Sequence, residues 1–430
     1  MTVDSSFLPL KKTKEILVQE SEGFPSDVPN GCTSHKALAP IILFGQIFSL
    51  MPVGGYFEEN PEEIKFRFIS PRFLYSCMTL FIFVSIIVLC LLNLADRGSL
   101  SLSDVATIIY YTVILLAMLE FFVLAYNWRS IMTHWTREER PFLYYPYETG
   151  RGLPLESLVR RVAAVVIVFA FIEDVMNFIS AFKLNETHMK SCPHASDFWR
   201  NFFRREHRYI VRVIPYHKVL GIAIELMMRV AKFTWHFIDV FIICVCLTLQ
   251  RRFQQYNNRI ENMNGKELPQ STWKELRYDF LRLSELIAFL DGKFSRLILM
   301  ACANNMFFIS MQLYNIFDVK PTAFTTIYFW YSLMFLICRC FCALYITSAI
   351  YEASLKPLIL LRDFPTAGWN LDLQRLIDHV ALKSIAFSGK RFFFVTRPLI
   401  LAMAGTIVTY ELVLLDQVEK DQDTTLDCNF

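Results

Sequence analysis

Apolar residues fall along this chain in long blocks, not in amphipathic periods. A helix needs roughly 20 mostly apolar residues to cross a hydrocarbon core of about 30 Å. Seven blocks meet that need. Tyr75–Leu94 carries no charge, and Thr107–Tyr126 carries one, Glu120. Val162–Phe182 holds Glu173 and Asp174 side by side. Val219–Leu249 is longer and contains Glu225, Arg229, Lys232, His236 and Asp239. Leu297–Phe317 has no charge but includes Asn304, Asn305, Gln312 and Asn315. Ala323–Ile350 carries only Arg339, and Pro398–Leu415 closes the set.

Two further segments are apolar but poor spans. Ala37–Val53 is short, begins and ends near prolines and has Gly45 in its middle, which predicts a re-entrant or interfacial helix. Trp369–Phe394 places Leu371, Leu376, Ile377, Val380, Ala381 and Ile385 at helical spacing among charges. That pattern predicts an amphipathic helix, followed by a kink at Arg397-Pro398. The first 36 residues are polar, with Lys11, Lys12 and Lys14, and do not read as a cleavable signal peptide.

The pattern predicts an all-α polytopic membrane protein of seven transmembrane helices plus the re-entrant N-terminal helix. Residues 1–36 form a cytosolic segment and 37–70 the re-entrant helix and linker. Residues 71–352 form a six-helix bundle with an outer loop at 183–217 and a cytosolic extension at 251–292. A cytosolic anchor helix follows at 353–396, then the last span at 397–417 and an outer tail at 418–430.

Composition agrees. Of 430 residues, 54% are apolar and only 19% charged, whereas a soluble domain has about 25% charged residues. A net charge of +3 is too small to suggest nucleic acid. Most of the eleven cysteines lie inside apolar blocks, where reduced buried thiols are the ordinary state; Cys192 and Cys428 are the two expected to face outside. Cys338-Arg339-Cys340-Phe341-Cys342 lacks a metal-site spacing, and no nucleotide-binding or hydrolase motif appears. The expectation is a protein that is not an enzyme and uses no cofactor or metal.

With the N-terminus inside, the inner loops hold roughly 24 basic residues and the outer ones roughly 10. The one N-x-S/T sequon, Asn185-Glu186-Thr187, then lies outside, where a glycan can be attached to Asn185. That topology brings polar side chains together in the outer half of the bundle. Polar groups at membrane depth are costly and usually face a cavity or a partner. Glu173, Asp174, Asn177, Trp235, His236 and Tyr331 offer carboxylates, an amide, an imidazole and flat rings. Such groups can hold paired hydroxyls and stack on a sugar ring. Tyr110, Tyr111, Gln312, Asn315, Tyr328 and Trp330 share that depth. The alternative for the carboxylates is pairing within the bundle, for instance Asp174 with Arg229 or Lys232.

The last span is rich in small residues, with Ala402, Gly405, Thr409, Leu412 and Asp416 on one face, suited to close helix packing or to a narrow conduit. Its end, Thr409-Tyr410-Glu411-Leu412-Val413-Leu414-Leu415, resembles the C-terminal signature of insect gustatory receptors. Glu411 directly after Thr-Tyr is similar to the sugar-receptor branch. Met51-Pro-Val-Gly-Gly and Lys390-Arg-Phe-Phe-Phe extend the resemblance. Asp416 stands where the family has Gln, and Gln417 where it has Phe.

The resemblance implies the insect chemoreceptor ion-channel fold, with a cation channel opened by extracellular sugars. It implies a homotetramer, or a heteromer with related gustatory receptors, in the plasma membrane of sensory neurons. Four copies of the last helix would enclose one pore that passes monovalent and divalent cations. There Leu412 and Leu415 would form a constriction and Asp416 and Gln417 its outer mouth. A G-protein-coupled receptor would put Asn185 in the cytoplasm, and a secondary transporter would show related halves that this chain lacks.

Overall fold

A computed structural model of the chain describes residues 31–418, except 98–100, 148–151, 192–196, 212, 215–216, 264–265, 267, 318–321, 363 and 365–368. At 97, 191 and 412–418 it describes the backbone only. Cys192, Cys428 and the outer tail lie outside the described residues.

Each apolar block becomes one helix, because a chain without water around it satisfies its backbone groups most simply by helical hydrogen bonds. In chain order these are α1 (Ser34–Ile47), α2 (Pro71–Arg97), α3 (Leu102–Glu139), α4 (Leu155–Ser191), α5 (Phe198–Glu206), α6 (Arg208–Val211), α7 (Lys218–Met263), α8 (Gln270–Tyr314), α9 (Ala323–Arg362), α10 (Leu371–Leu382) and α11 (Arg397–Val418). Five of them, α2, α3, α4, α7 and α9, are long and apolar enough to cross a membrane. The fifth expected span is the C-terminal part of α8, where Asn304, Asn305 and Gln312 dilute the apolar character. The seventh is α11, described with side chains as far as Glu411. The helices outrun the blocks that predict them. At 46 residues α7 is roughly 70 Å long, more than twice the hydrocarbon thickness.

The bundle is built around α7. Its most apolar window is 89% buried, against 22% to 50% for the other four, so it is the central helix and they form the outside. Glu225, Arg229, Lys232, His236 and Asp239 recur along it at steps of four, three, four and three. That spacing puts all five on one face. Fourteen residues make α1 too short to span, and its Ala37, Leu38, Ile41 and Ile42 are buried where it packs on α3, α4 and α7. Gly45 permits the close approach, since a Cβ there would meet the Phe237 ring of α7 at 2.7 Å. Ser34 seals the start of α1, donating its N–H and hydroxyl to the buried Glu139 carboxylate at 2.8 and 2.6 Å.

Three local expectations are corrected. The linker after α1 contains a small antiparallel pair, β1 (Val53–Gly54) with β2 (Lys65–Phe66). The amphipathic helix ends at Leu382, not Phe394. After it the chain runs extended into a turn, with Lys390 and Arg391 at positive φ (54° and 63°) and a bridge between Ser388 and Phe394. Asp291 of α8 holds that turn by accepting from the Ser388 N–H and hydroxyl at 2.7 and 2.8 Å. Pro398 opens α11 in place of kinking a continuous helix, because the N–H it lacks would be unpaired in a first turn anyway.

Candidate functional site

Consecutive positions on a helix point about 100° apart, so Glu173 and Asp174 of α4 serve different neighbours. Asp174 faces α7, accepting from the Arg229 guanidinium, with Lys232 Nζ 3.4 Å away. Arg229 in turn donates to Glu225 at 2.8 Å, and Glu225 meets His207 at 2.8 Å. The internal pairing left open from the sequence is therefore the arrangement adopted. Glu173 faces α9, where the Tyr328 and Ser332 hydroxyls both donate to its Oε1 at 3.1 Å. Its Oε2 lies 3.7 Å from His236 Nε2, beyond hydrogen-bond reach. On the other side of the imidazole, Nδ1 contacts the Arg339 guanidinium. Arginine can only donate, so Nδ1 accepts and the ring proton sits on Nε2, aimed at Glu173.

Next to this network lies a cavity of about 780 Å³. The start of α3 contributes Ser103, Thr107, Tyr110 and Tyr111, and the end of α8 contributes Phe308, Gln312 and Asn315. Tyr328, Phe329 and Ser332 come from α9, with Glu206 and Tyr209 from the connection between α4 and α7. The start of α3 is fixed by a capping box, in which the Asp104 N–H donates to the Ser101 hydroxyl at 3.1 Å and the Ser101 N–H donates to the Asp104 carboxylate at 3.4 Å. The short loop helix α5 seats Phe203 where a Cβ on Gly221 would stand 2.6 Å away, and this holds the loop over the bundle. Tyr209 and Tyr111 join their hydroxyls at 2.6 Å.

None of the six residues expected to bind ligand lines this cavity; they form or flank the wall behind it. Glu173 is one hydrogen bond removed, through Tyr328 and Ser332. Trp235 backs Tyr110 and Phe308, at ring-centroid distances of 5.5 and 4.7 Å. Asp174 and His236 are held by cations. Asn177 is half-buried one turn beyond Asp174, and Tyr331 turns its hydroxyl to the Phe169 carbonyl at 3.0 Å. The surface facing the space is aromatic, hydroxyl and amide instead, with one carboxylate, Glu206, that pairs with Arg205 at 3.2 Å. Gln312 donates to Ser332 at 3.1 Å, while its buried Oε1 finds no hydrogen-bond partner among the described residues. Tyr110, Tyr111, Gln312, Asn315 and Tyr328 carried a sequence signal, their depth. Ser103, Thr107, Tyr209 and Phe308 carried none.

Two other expectations meet the structure unevenly. Asn185 is fully buried, donating to the Phe198 carbonyl at 3.1 Å and accepting from Asn201 at 2.8 Å. A glycan would displace both bonds, so the folded loop does not present this amide. Leu412, Leu415, Asp416 and Gln417 continue the backbone of α11, but their side chains lie outside the described residues.

The described residues form a helical membrane bundle with an aromatic, hydroxyl-lined chamber beside a buried ionic network. The fold is that of the insect olfactory receptor OR5 from Machilis hrabei. That structure aligns with a TM-score of 0.61 over 88% of this chain and 97% of its own, at 14% identity. The sequence profile of the family described as "Trehalose receptor" matches residues 20–428, and the chain belongs to that family, the sugar branch of the insect gustatory receptors. Among its relatives in Drosophila melanogaster, "Gustatory receptor for sugar taste 64a" is 32% identical over 89% of this chain and 84% of its own length. "Gustatory receptor 5a for trehalose" is 30% identical over 92% and 87%.

Proposed function

We propose that the protein is a cation channel opened by a neutral sugar bound in the 780 Å³ cavity. The observation that carries this reading is the cavity wall. Rings from Tyr110, Phe308 and Tyr328 can stack on the apolar faces of a sugar, and Thr107, Gln312, Asn315 and Ser332 can pair with its hydroxyls. The one charged residue of the wall, Glu206, pairs with Arg205, and the other nearby charges are matched to one another behind it, so a neutral polar ligand suits the site better than an ion. The names of the relatives, for sugar taste and trehalose, support the same ligand class.

The channel part of the reading rests on α11. It packs on α8 and α9 along one side, while Ala402, Gly405 and Thr409 are exposed in the single chain, and a Cβ on Gly405 would meet nothing within 4 Å. Four copies, identical or mixed with related receptors, would bring that small-residue face to a common axis. Leu412 and Leu415 would narrow the conduit, with Asp416 and Gln417 at its outer mouth. The N-terminus would then be cytosolic and the tail extracellular, in the plasma membrane of a sensory neuron.

Expressing the chain alone and recording currents during application of glucose, fructose, sucrose, maltose and trehalose tests this. Sugar-evoked cation current supports the channel. Sugar flux without current would make it a transporter, and responses that need G proteins would make it a coupled receptor.

A further inference from the structure

Beneath the cavity, polar contacts continue inward where only apolar packing is needed. Arg339 of α9 is buried, its side chain 1% exposed, and its Nε donates to Asp239 Oδ2 of α7 at 2.8 Å. Asn305 of α8 donates to both oxygens of the same carboxylate at 3.2 Å. A small void then separates Asp239 and Asn305 from Val395, which is fully buried two residues before α11 begins. Traced outward, Arg339 donates to His236, His236 points its Nε2 proton at Glu173, and Glu173 holds the Tyr328 and Ser332 hydroxyls that face the cavity.

Resting on the sugar-channel reading above, we propose that this line of contacts reports occupancy of the cavity to the root of α11. Between the cavity hydroxyls and Asp239 the one open link is the 3.7 Å gap between Glu173 and His236. A sugar that engages Tyr328 and Ser332 changes how firmly they hold Glu173, and so changes its distance from His236. Arg339 follows the imidazole because it donates to it. Asp239 follows Arg339, and the void beside Val395 leaves room for that movement.

Two physical points favour the assignment. Buried ion pairs are poor stabilisers compared with apolar residues of similar volume, so their presence in a membrane bundle calls for a role other than stability. The contacts also join α4, α7, α8 and α9, the last two of which are the helices on which α11 packs. Arg339, Asp239 and Asn305 are thus positioning residues, since none of them touches the cavity.

The test separates binding from gating in the full receptor. Asn305→Leu, Arg339→Lys and the double variant Asp239→Asn/Arg339→Gln, which removes both charges together, are compared with wild type. Trehalose and sucrose binding is measured on purified receptor, and saturating current is normalised to surface protein. For Asn305→Leu and the double variant the expected result is a Kd within twofold of wild type and a maximal current at least tenfold lower. Arg339→Lys should lie between, because it keeps the charge but not the fork. Wild-type currents in Asn305→Leu overturn the relay, as does loss of binding in parallel with current, which would mark a merely structural role. If the double variant fails to reach the surface, Asn305→Leu decides alone, since it leaves both charges paired. A wild type that binds sugar but passes no current overturns the channel reading and the relay with it, whereas equal responses from wild type and variants overturn the relay only.

Discussion

Glu173→Gln and Asp174→Asn make the same chemical change at adjacent residues, yet the structure predicts opposite phenotypes. Glu173 accepts both the Tyr328 and the Ser332 hydroxyl, each at 3.1 Å. Because those protons are committed to the carboxylate, the hydroxyl oxygens are left to accept from a ligand. Hydrogen bonds to a charged group contribute about 1.5–3 kcal/mol, against about 1 kcal/mol for neutral ones. A glutamine keeps one acceptor oxygen, so the two hydroxyls are held more weakly and part of their orientation must be restored when ligand binds. A net loss of about 1–2 kcal/mol moves the sugar midpoint roughly five- to thirtyfold. Asp174→Asn instead withdraws the carboxylate that faces Arg229 and Lys232, whose side chains are 25% and 20% exposed. Breaking such a pair costs about 3–5 kcal/mol, and because Arg229 keeps Glu225 the lower end applies. That cost falls on folding, so surface expression drops and the receptors that do arrive keep a near-normal midpoint. The assay is a sugar dose–response with surface biotinylation on the same cells. A Glu173→Gln midpoint equal to wild type, or an Asp174→Asn receptor that reaches the surface fully and shifts its midpoint, would refute the division of labour between the two carboxylates.

Digestion with peptide N-glycosidase should leave the receptor's mobility unchanged, and Asn185→Ala should lower thermal stability by about 1–3 kcal/mol through two lost buried hydrogen bonds; a mobility shift would show that the outer loop opens. Asp416→Asn should lower cation conductance without moving the sugar midpoint, and Leu412→Ala or Leu415→Ala should leak without sugar; unchanged selectivity and no leak in all three would remove that face from the pore. Asp279, in the inner part of α8, is pushed up to about 6 by burial, which outweighs the lowering effect of the Tyr147 hydroxyl bonded to it. Its folded value lies above the unfolded one of about 4, so its contribution is complete at low pH and is lost as pH rises through 6. The melting temperature of purified receptor should therefore rise between pH 7 and 5, and Asp279→Asn should flatten that slope by up to roughly 3 kcal/mol; equal slopes would contradict it. A C-terminal tag should stain intact cells, and staining only after permeabilisation would reverse the orientation.

Block length and charge content were enough to find every long helix, since a run such as Tyr75–Leu94 has no other stable state in a membrane. They did not reveal how far the helices run past the bilayer, because the polar continuations of α7 and α8 are held by tertiary packing. The turn at 388–394 was missed because its determinant, Asp291, lies about a hundred residues away. At the candidate site the six residues singled out from the sequence are not the ones that line the cavity. Charge is the most visible feature of an apolar segment, and Glu173, Asp174 and His236 drew attention for that reason. In the fold, however, opposite charges on α4, α7 and α9 find one another, and the uncharged hydroxyls and rings are left to face the space. Thr107 and Phe308 look like any span residue until α3 and α8 are set side by side.

A chamber lined, apart from Glu206, by uncharged side chains in front of a mutually satisfied ionic frame separates what can vary from what cannot. Exchanging Thr107, Phe308 or Asn315 alters the shape and hydrogen-bonding pattern offered to a guest while leaving every buried charge with its partner. A lineage of such receptors can therefore diversify in diet without repeatedly re-solving the problem of inserting and folding in a bilayer. Substitutions tolerated among descendants should concentrate on the lining, while the ionic frame changes only by paired replacements.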